Sequence, residues 1–189
     1  MSPMGPVAHL SFCGVHMRVK LRKRYKTIVA DPPWKERGGG AKYKRGADRH
    51  YKLLSVDEII RVMVTDDVWR PDKQAHLYLW VTNNFLQSGL VVMQALGFTY
   101  KTNIVWVKDR FGIGRYFRGQ HELCLFGVRG TYMATMENSL PTRVDAPRTK
   151  HSQKPDEFYE LVERASPGPR VEFFARCERD GWDAMGDQI

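Results

Sequence analysis

Five stretches of almost unbroken apolar residues recur along this chain: 25–30 (YKTIVA), 75–81 (AHLYLWV), 102–108 (TNIVWVK), 122–130 (ELCLFGVRG) and 171–176 (VEFFAR). They are continuous rather than alternating, which predicts strands buried on both faces. Between them lie amphipathic stretches with helix signals. Residues 55–63 (SVDEIIRVM) open with Ser55 and carry Glu58 three positions on, the pattern of a capping box. Residues 82–98 run from a polar start to Gly97, a helix-ending residue, and 154–166 (KPDEFYELVERAS) place Pro155 near a first turn, where proline is tolerated. The segment 35–51 (KERGGGAKYKRGADRHY) predicts a loop, because three consecutive glycines hold regular structure poorly. Strands alternating with helices predict an α/β fold, a mostly parallel sheet with helices on both faces. In such sheets ligands bind beyond the carboxyl ends of the strands.

The 189 residues suit one domain with a full core. We expect a basic arm over 1–24 and a single domain over 25–189. The arm's basic cluster follows its weakly apolar part, the reverse of a secretory signal, and no apolar run approaches a membrane span. Cys13, Cys124 and Cys177 form neither a disulfide framework nor a zinc pattern, so a reducing cytoplasm and no metal site are expected. The net charge of +9 changes the picture more. Lys and Arg gather at 18–26, 35–50 and 148–154, and Tyr and His are interleaved in the second cluster. A polyanion, in particular nucleic acid, is the expected partner.

The first strand ends in Asp31-Pro32-Pro33-Trp34. Both prolines fix φ and lack an N–H, so the turn is preorganised. Asp31 offers a carboxylate, the Asp31 and Pro32 carbonyls are acceptors, and Trp34 offers a flat face. This set suits a planar ring carrying an amino group. Two acceptors on the amine hydrogens favour a more tetrahedral nitrogen and free its lone pair for attack on an electrophilic methyl group, a reaction that needs mainly positioning and electrostatics. In a duplex the base must first be flipped out. Asp-Pro-Pro taken alone would equally suit a rigid turn with a packing tryptophan.

The ordered set VADPPW, HLYLWVTN, IVWVK, GRYFRGQHELCLFGVRG, HSQKPDEFYELVERASPGPRVEFFAR and GWDAMGDQ resembles the adenosine N6-methyltransferase family that includes the catalytic subunit of the eukaryotic mRNA methyltransferase, the seventy-kilodalton-subunit family. The likeness spans residues 25–188 and is greatest to small bacterial and phage members. It implies a Rossmann-like, class I methyltransferase fold that uses S-adenosylmethionine, with the catalytic motif ahead of the cofactor strand 171–176. Asp31, Pro32, Pro33 and Trp34 match the family's catalytic motif. The cofactor set implied is Asp31, Tyr51, Gln153, Lys154, Glu172, Phe174, Arg176, Asp187 and Gln188. The substrate set is Trp34, Tyr51, Arg115, Tyr116, Arg118, Glu122 and Lys154. Two positions depart from the eukaryotic pattern: Gln153 stands where it has His, and Asp187 where it has Asn.

The resemblance implies methyl transfer to adenine N6, with DNA ahead of RNA, in a prokaryotic or phage setting. Two alternatives are a non-catalytic nucleic-acid-binding subunit and a cytosine-N4 methyltransferase. The first is disfavoured by the intact acid of the motif and by Lys154. No separate target-recognition segment is evident, so specificity would rest on loops, a homodimer or a heteromeric partner.

Overall fold

The apolar run before the Asp-Pro-Pro-Trp turn forms strand β1, Tyr25–Ala30. The computed structural model describes residues 23–35, 53–65, 69–112, 116–131, 134–148 and 153–186. After β1 come α1 (Val56–Val64), β2 (Pro71–Val81), a 3₁₀ turn (Asn83–Phe85) leading into α2 (Leu86–Ala95), β3 (Thr99–Val107), β4 (His121–Arg129), β5 (Arg143–Asp145), α3 (Asp156–Ala165), β6 (Arg170–Phe173) and β7 (Trp182–Met185). Among the described residues these strands form one seven-stranded sheet in the order β5-β3-β4-β2-β1-β6-β7. Neighbours are parallel throughout except at β4, which runs against both β2 and β3. This is the mostly parallel, Rossmann-like sheet expected.

Successive residues of the central strands face opposite sides, and each side has its own core. Ile28, Ala30, Leu77 and Leu79 pack with Ile59 and Met63 of α1 and with Val92 and Met93 of α2. Val29, Tyr78 and Trp80 pack with Phe158, Leu161 and Val162 of α3. Both faces are therefore covered, which is why these strands carry no polar alternation.

The helix boundaries follow their sequence signals. The Ser55 side chain accepts from the Glu58 N–H, and the Glu58 carboxylate accepts from the Ser55 N–H. α2 ends in a Schellman arrangement: Gly97 at φ 79° donates to Gln94 O and Phe98 donates to Met93 O.

Two short edge strands, β5 and β7, were not expected. Three or four residues at a sheet edge carry too little pattern to be seen. The expected strand 171–176 also ends early, after Phe173. Phe174 adopts φ 63° and turns the chain out of the sheet.

Candidate active site

Asp31 is the first residue past the carboxyl end of β1, and its N–H donates to Phe173 O at the end of β6. The register pairs Ala30 with Phe173. The expected catalytic motif and the expected cofactor strand, far apart in the chain, are thus adjacent in the sheet. Lys154 arrives from just ahead of α3. Glu122 lies on β4, whose reversed direction brings its beginning to the edge where its neighbours end; it pairs with Trp106 near the end of β3.

These residues form an alternating row of charges. Lys154 Nζ lies 2.7 Å from Asp31 Oδ2 and 3.3 Å from Glu122 Oε2. Lys108 Nζ donates to Glu122 Oε1. Arg176 Nη2 lies 3.7 Å from Asp31 Oδ2. Burial disfavours the Lys154 ammonium, but Asp31 and Glu122 more than compensate and hold it above its ordinary range. Burial likewise pushes the Glu122 carboxyl up, and Lys154 and Lys108 reverse this and leave it below its ordinary value. Both lysines lie against buried indoles: Lys154 Nζ is 5.0 Å from the Trp80 ring centre and Lys108 Nζ 4.4 Å from that of Trp106. Trp80 and Trp106 are core residues and also the floor beneath the two cations.

Asp31 engages both Lys154 and Arg176 through Oδ2, and among the described residues no donor lies on Oδ1. That oxygen is the acceptor available to an amine. The remainder of the turn differs from the expectation. The Pro32 carbonyl already accepts from the Trp34 N–H at 2.9 Å, and the Pro33 carbonyl accepts from the Leu54 N–H at 2.8 Å. The prolines lack donors themselves, but their carbonyls are taken up by the local Trp34 N–H and by the Leu54 N–H from farther along the chain. Trp34 itself is only 6% exposed. Its ring stacks on Phe85 with centres 5.4 Å apart, and its indole N–H donates to Trp80 O at 3.0 Å. The expected stacking platform is a bolt that fixes the turn to the core, because an indole with one face packed and its N–H bonded inside gains more from burial than from solvent.

Glu172, on β6 beside Asp31, is buried and accepts from the Tyr159 hydroxyl at 2.7 Å. Burial, reinforced by the Asp31 charge and opposed by the Tyr159 bond, pushes its carboxyl up to about 7. A raised carboxyl favours folding while protonated, so its contribution is full below the unfolded value of 4.5 and declines as pH rises through about 7. Glu172→Gln is accordingly expected to stabilise the protein at pH 8 by up to about 3 kcal/mol and to change little near pH 4, as read by denaturant unfolding at the two pH values. Equal shifts at both would contradict this origin.

The other expected residues divide. Arg176 joins the site, whereas Phe174 is partly buried and packs against the α1/α2-side core. Gln153 is exposed ahead of Lys154. Tyr116 and Arg118 stand on the loop between β3 and β4, where Arg118 Nε donates to Gly112 O. Tyr51, Arg115, Asp187, Gln188 and the Gly38–Gly40 loop lie outside the described residues. Gly186, next to that last pair, is closely packed: a Cβ there would fall 1.9 Å from Ala175 O, so the backbone must pass bare beside the end of β6. Three participants were missed. Lys108 was legible only as the last residue of the IVWVK stretch. Tyr159 was hidden as one apolar position of an amphipathic helix. Arg179, whose guanidinium lies 3.8 Å over the Tyr159 ring and 2.7 Å from Asp156 Oδ1, had no signal.

The family model described as MT-A70 matches residues 25–188. The chain is 30% identical over 192 residues to a putative N(6)-adenosine-methyltransferase MT-A70-like protein of Medicago truncatula, covering 92% of this chain and 28% of that protein. It is 29% identical over 189 residues to the human N(6)-adenosine-methyltransferase catalytic subunit METTL3, covering 92% of this chain and 30% of METTL3. Against the type II methyltransferase M.MunI of a Mycoplasma species it is 28% identical over 189 residues, covering 89% of this chain and 79% of M.MunI. The chain therefore spans under a third of the plant and human relatives and most of the M.MunI length.

Proposed function

This chain belongs to the MT-A70 family, and we propose that it transfers a methyl group from S-adenosylmethionine to the N6 amine of adenine in nucleic acid, with DNA the favoured polymer. The observation that carries the reading is the Asp31–Lys154 pair, 2.7 Å apart and 123 residues distant in sequence, at the carboxyl edge of the sheet beside Glu172. The preference for DNA rests on the relative of comparable length, a type II methyltransferase, and on the resemblance to small bacterial and phage members.

The donor set suits this cofactor. Arg176 presents a planar guanidinium suited to a carboxylate, and Glu172 and Asp31 present carboxylates suited to hydroxyl or ammonium groups. When bound, the cofactor supplies an electrophilic methyl group. Asp31 orients the acceptor amine through Oδ1 and accepts the proton it sheds. Lys154 and Arg176 hold that carboxylate in place. Glu122, fixed between Lys108 and Lys154, gives the ring edge a second acceptor. The rigid turn, locked by Trp34, keeps these groups from reorganising during reaction.

The test is incubation with labelled S-adenosylmethionine and single-stranded DNA, duplex DNA or RNA, followed by nucleoside analysis. N6-methyladenine is the expected product. N4-methylcytosine as sole product would overturn the adenine assignment. Cofactor binding without any product would instead favour the reading as a non-catalytic nucleic-acid-binding subunit.

A further inference from the structure

We propose that Tyr116 and Phe117, at the described part of the loop leading into β4, form a stacking arm for the bases that flank the acceptor adenine. This rests on the nucleic-acid reading above and extends it to a surface outside the charge row.

Tyr116 and Phe117 are 91% and 92% exposed, and Phe111 on the same loop is 60% exposed. Large aromatic side chains draw much of their stabilisation from burial, so adjacent rings left this open are unusual without a partner. The loop is nevertheless anchored at its root. Lys108 N donates to Gln120 O and Gly112 N to Gly119 O, which extends the β3–β4 ladder outward. Asp109 accepts from the Arg148 N–H at 2.9 Å, which ties the root to the segment after β5. Arg118 lies across Phe111, its guanidinium carbon 6.0 Å from the ring centre.

Charge identifies the partner. The exposed Arg110 and Arg118 alternate with the aromatic rings, a composition suited to a phosphate backbone carrying unstacked bases rather than to an apolar protein face. Position identifies which bases. The loop grows from the strand ends that carry Lys108 and Glu122, so a strand that places its adenine against Asp31 and Glu122 continues past the arm. Bases next to a flipped or single-stranded adenine have lost a stacking neighbour, and an aromatic ring replaces it without regard to base identity.

The experiment uses the full chain and a short fluorescein-labelled single-stranded DNA rich in adenine, with a second oligonucleotide carrying 2-aminopurine beside one adenine. Tyr116→Ala/Phe117→Ala is expected to weaken binding, by anisotropy, at least about tenfold. It should also abolish the 2-aminopurine fluorescence change, while leaving S-adenosylmethionine affinity and the salt slope of DNA binding unchanged, because the phosphate contacts persist. Tyr116→Trp/Phe117→Trp is expected to restore binding. Unchanged DNA affinity in the alanine variant overturns the proposal. So does loss of self-association in sedimentation with DNA binding intact, which would make the rings a contact between copies. A wild-type protein that binds DNA through these rings yet transfers no methyl would overturn the methyltransferase reading and leave the arm standing. A wild-type protein that binds no oligonucleotide would overturn the arm.

Discussion

Asp31→Asn is expected to slow methyl transfer by about 10²–10³-fold while the protein remains folded and still binds S-adenosylmethionine. The asparagine oxygen can still accept from Lys154, so the buried ammonium keeps a neighbour, but the charge that polarises the amine and takes its proton is gone. Asp31→Ala is the less informative variant. Lys154 is buried, with 6% of its side chain exposed, and removing its partner at 2.7 Å mixes a folding defect with the chemical one. Rates measured with labelled cofactor, beside calorimetric cofactor binding and circular dichroism, separate the two effects. An Asp31→Asn protein with the wild-type rate would eliminate Asp31 as the acting carboxylate.

Lys154→Met should have the largest effect on stability. It leaves Asp31 and Glu122 facing each other without the cation between them, and breaking a buried pair in this way costs about 3–5 kcal/mol near pH 7. The sign with pH follows from Glu122. Its carboxyl is held below its ordinary value, by Lys154 and Lys108 against the opposing effect of burial, so the stability it contributes is present above the unfolded value of 4.5 and is lost as pH falls through the lower folded value. In Lys154→Met most of that contribution is already absent, so the gap from wild type should narrow on acidification. Urea unfolding at pH 7 and at pH 3, well below the unfolded value of 4.5, reads this directly. A deficit of the same size at both pH values would show that Lys154 matters through packing on Trp80 rather than through charge.

The site combines residues that differ in how visible they were beforehand. Asp31 and Lys154 stand in short motifs and were legible. The role of Trp34 was not: sequence shows that an indole follows two prolines, but whether it faces a ligand or the core depends on Phe85 and the Trp80 carbonyl, which come from β2 and the turn after it. The Pro32 carbonyl is similar, since its bond from the Trp34 N–H is a matter of turn geometry. Lys108 and Arg179 were missed because a basic residue at a strand end or in a loop looks like any solvated charge until its carboxylate partner is placed beside it.

What the sequence determined by itself was the class of architecture and the location of the chemistry. Continuous apolar strands between amphipathic helices require a sheet covered on both faces, and a rigid acidic turn after such a strand falls at the ligand-binding edge. The capping box at Ser55 and the helix end at Gly97 were also local, because each depends on residues a few positions apart. Only the tertiary structure decided the sheet order, the reversal of β4, the two short edge strands and the row Lys108–Glu122–Lys154–Asp31–Arg176. The reason is physical. Those features depend on which strands pair, and a residue's charge, burial and hydrogen-bond partners are set by neighbours that the chain brings together only when the sheet closes.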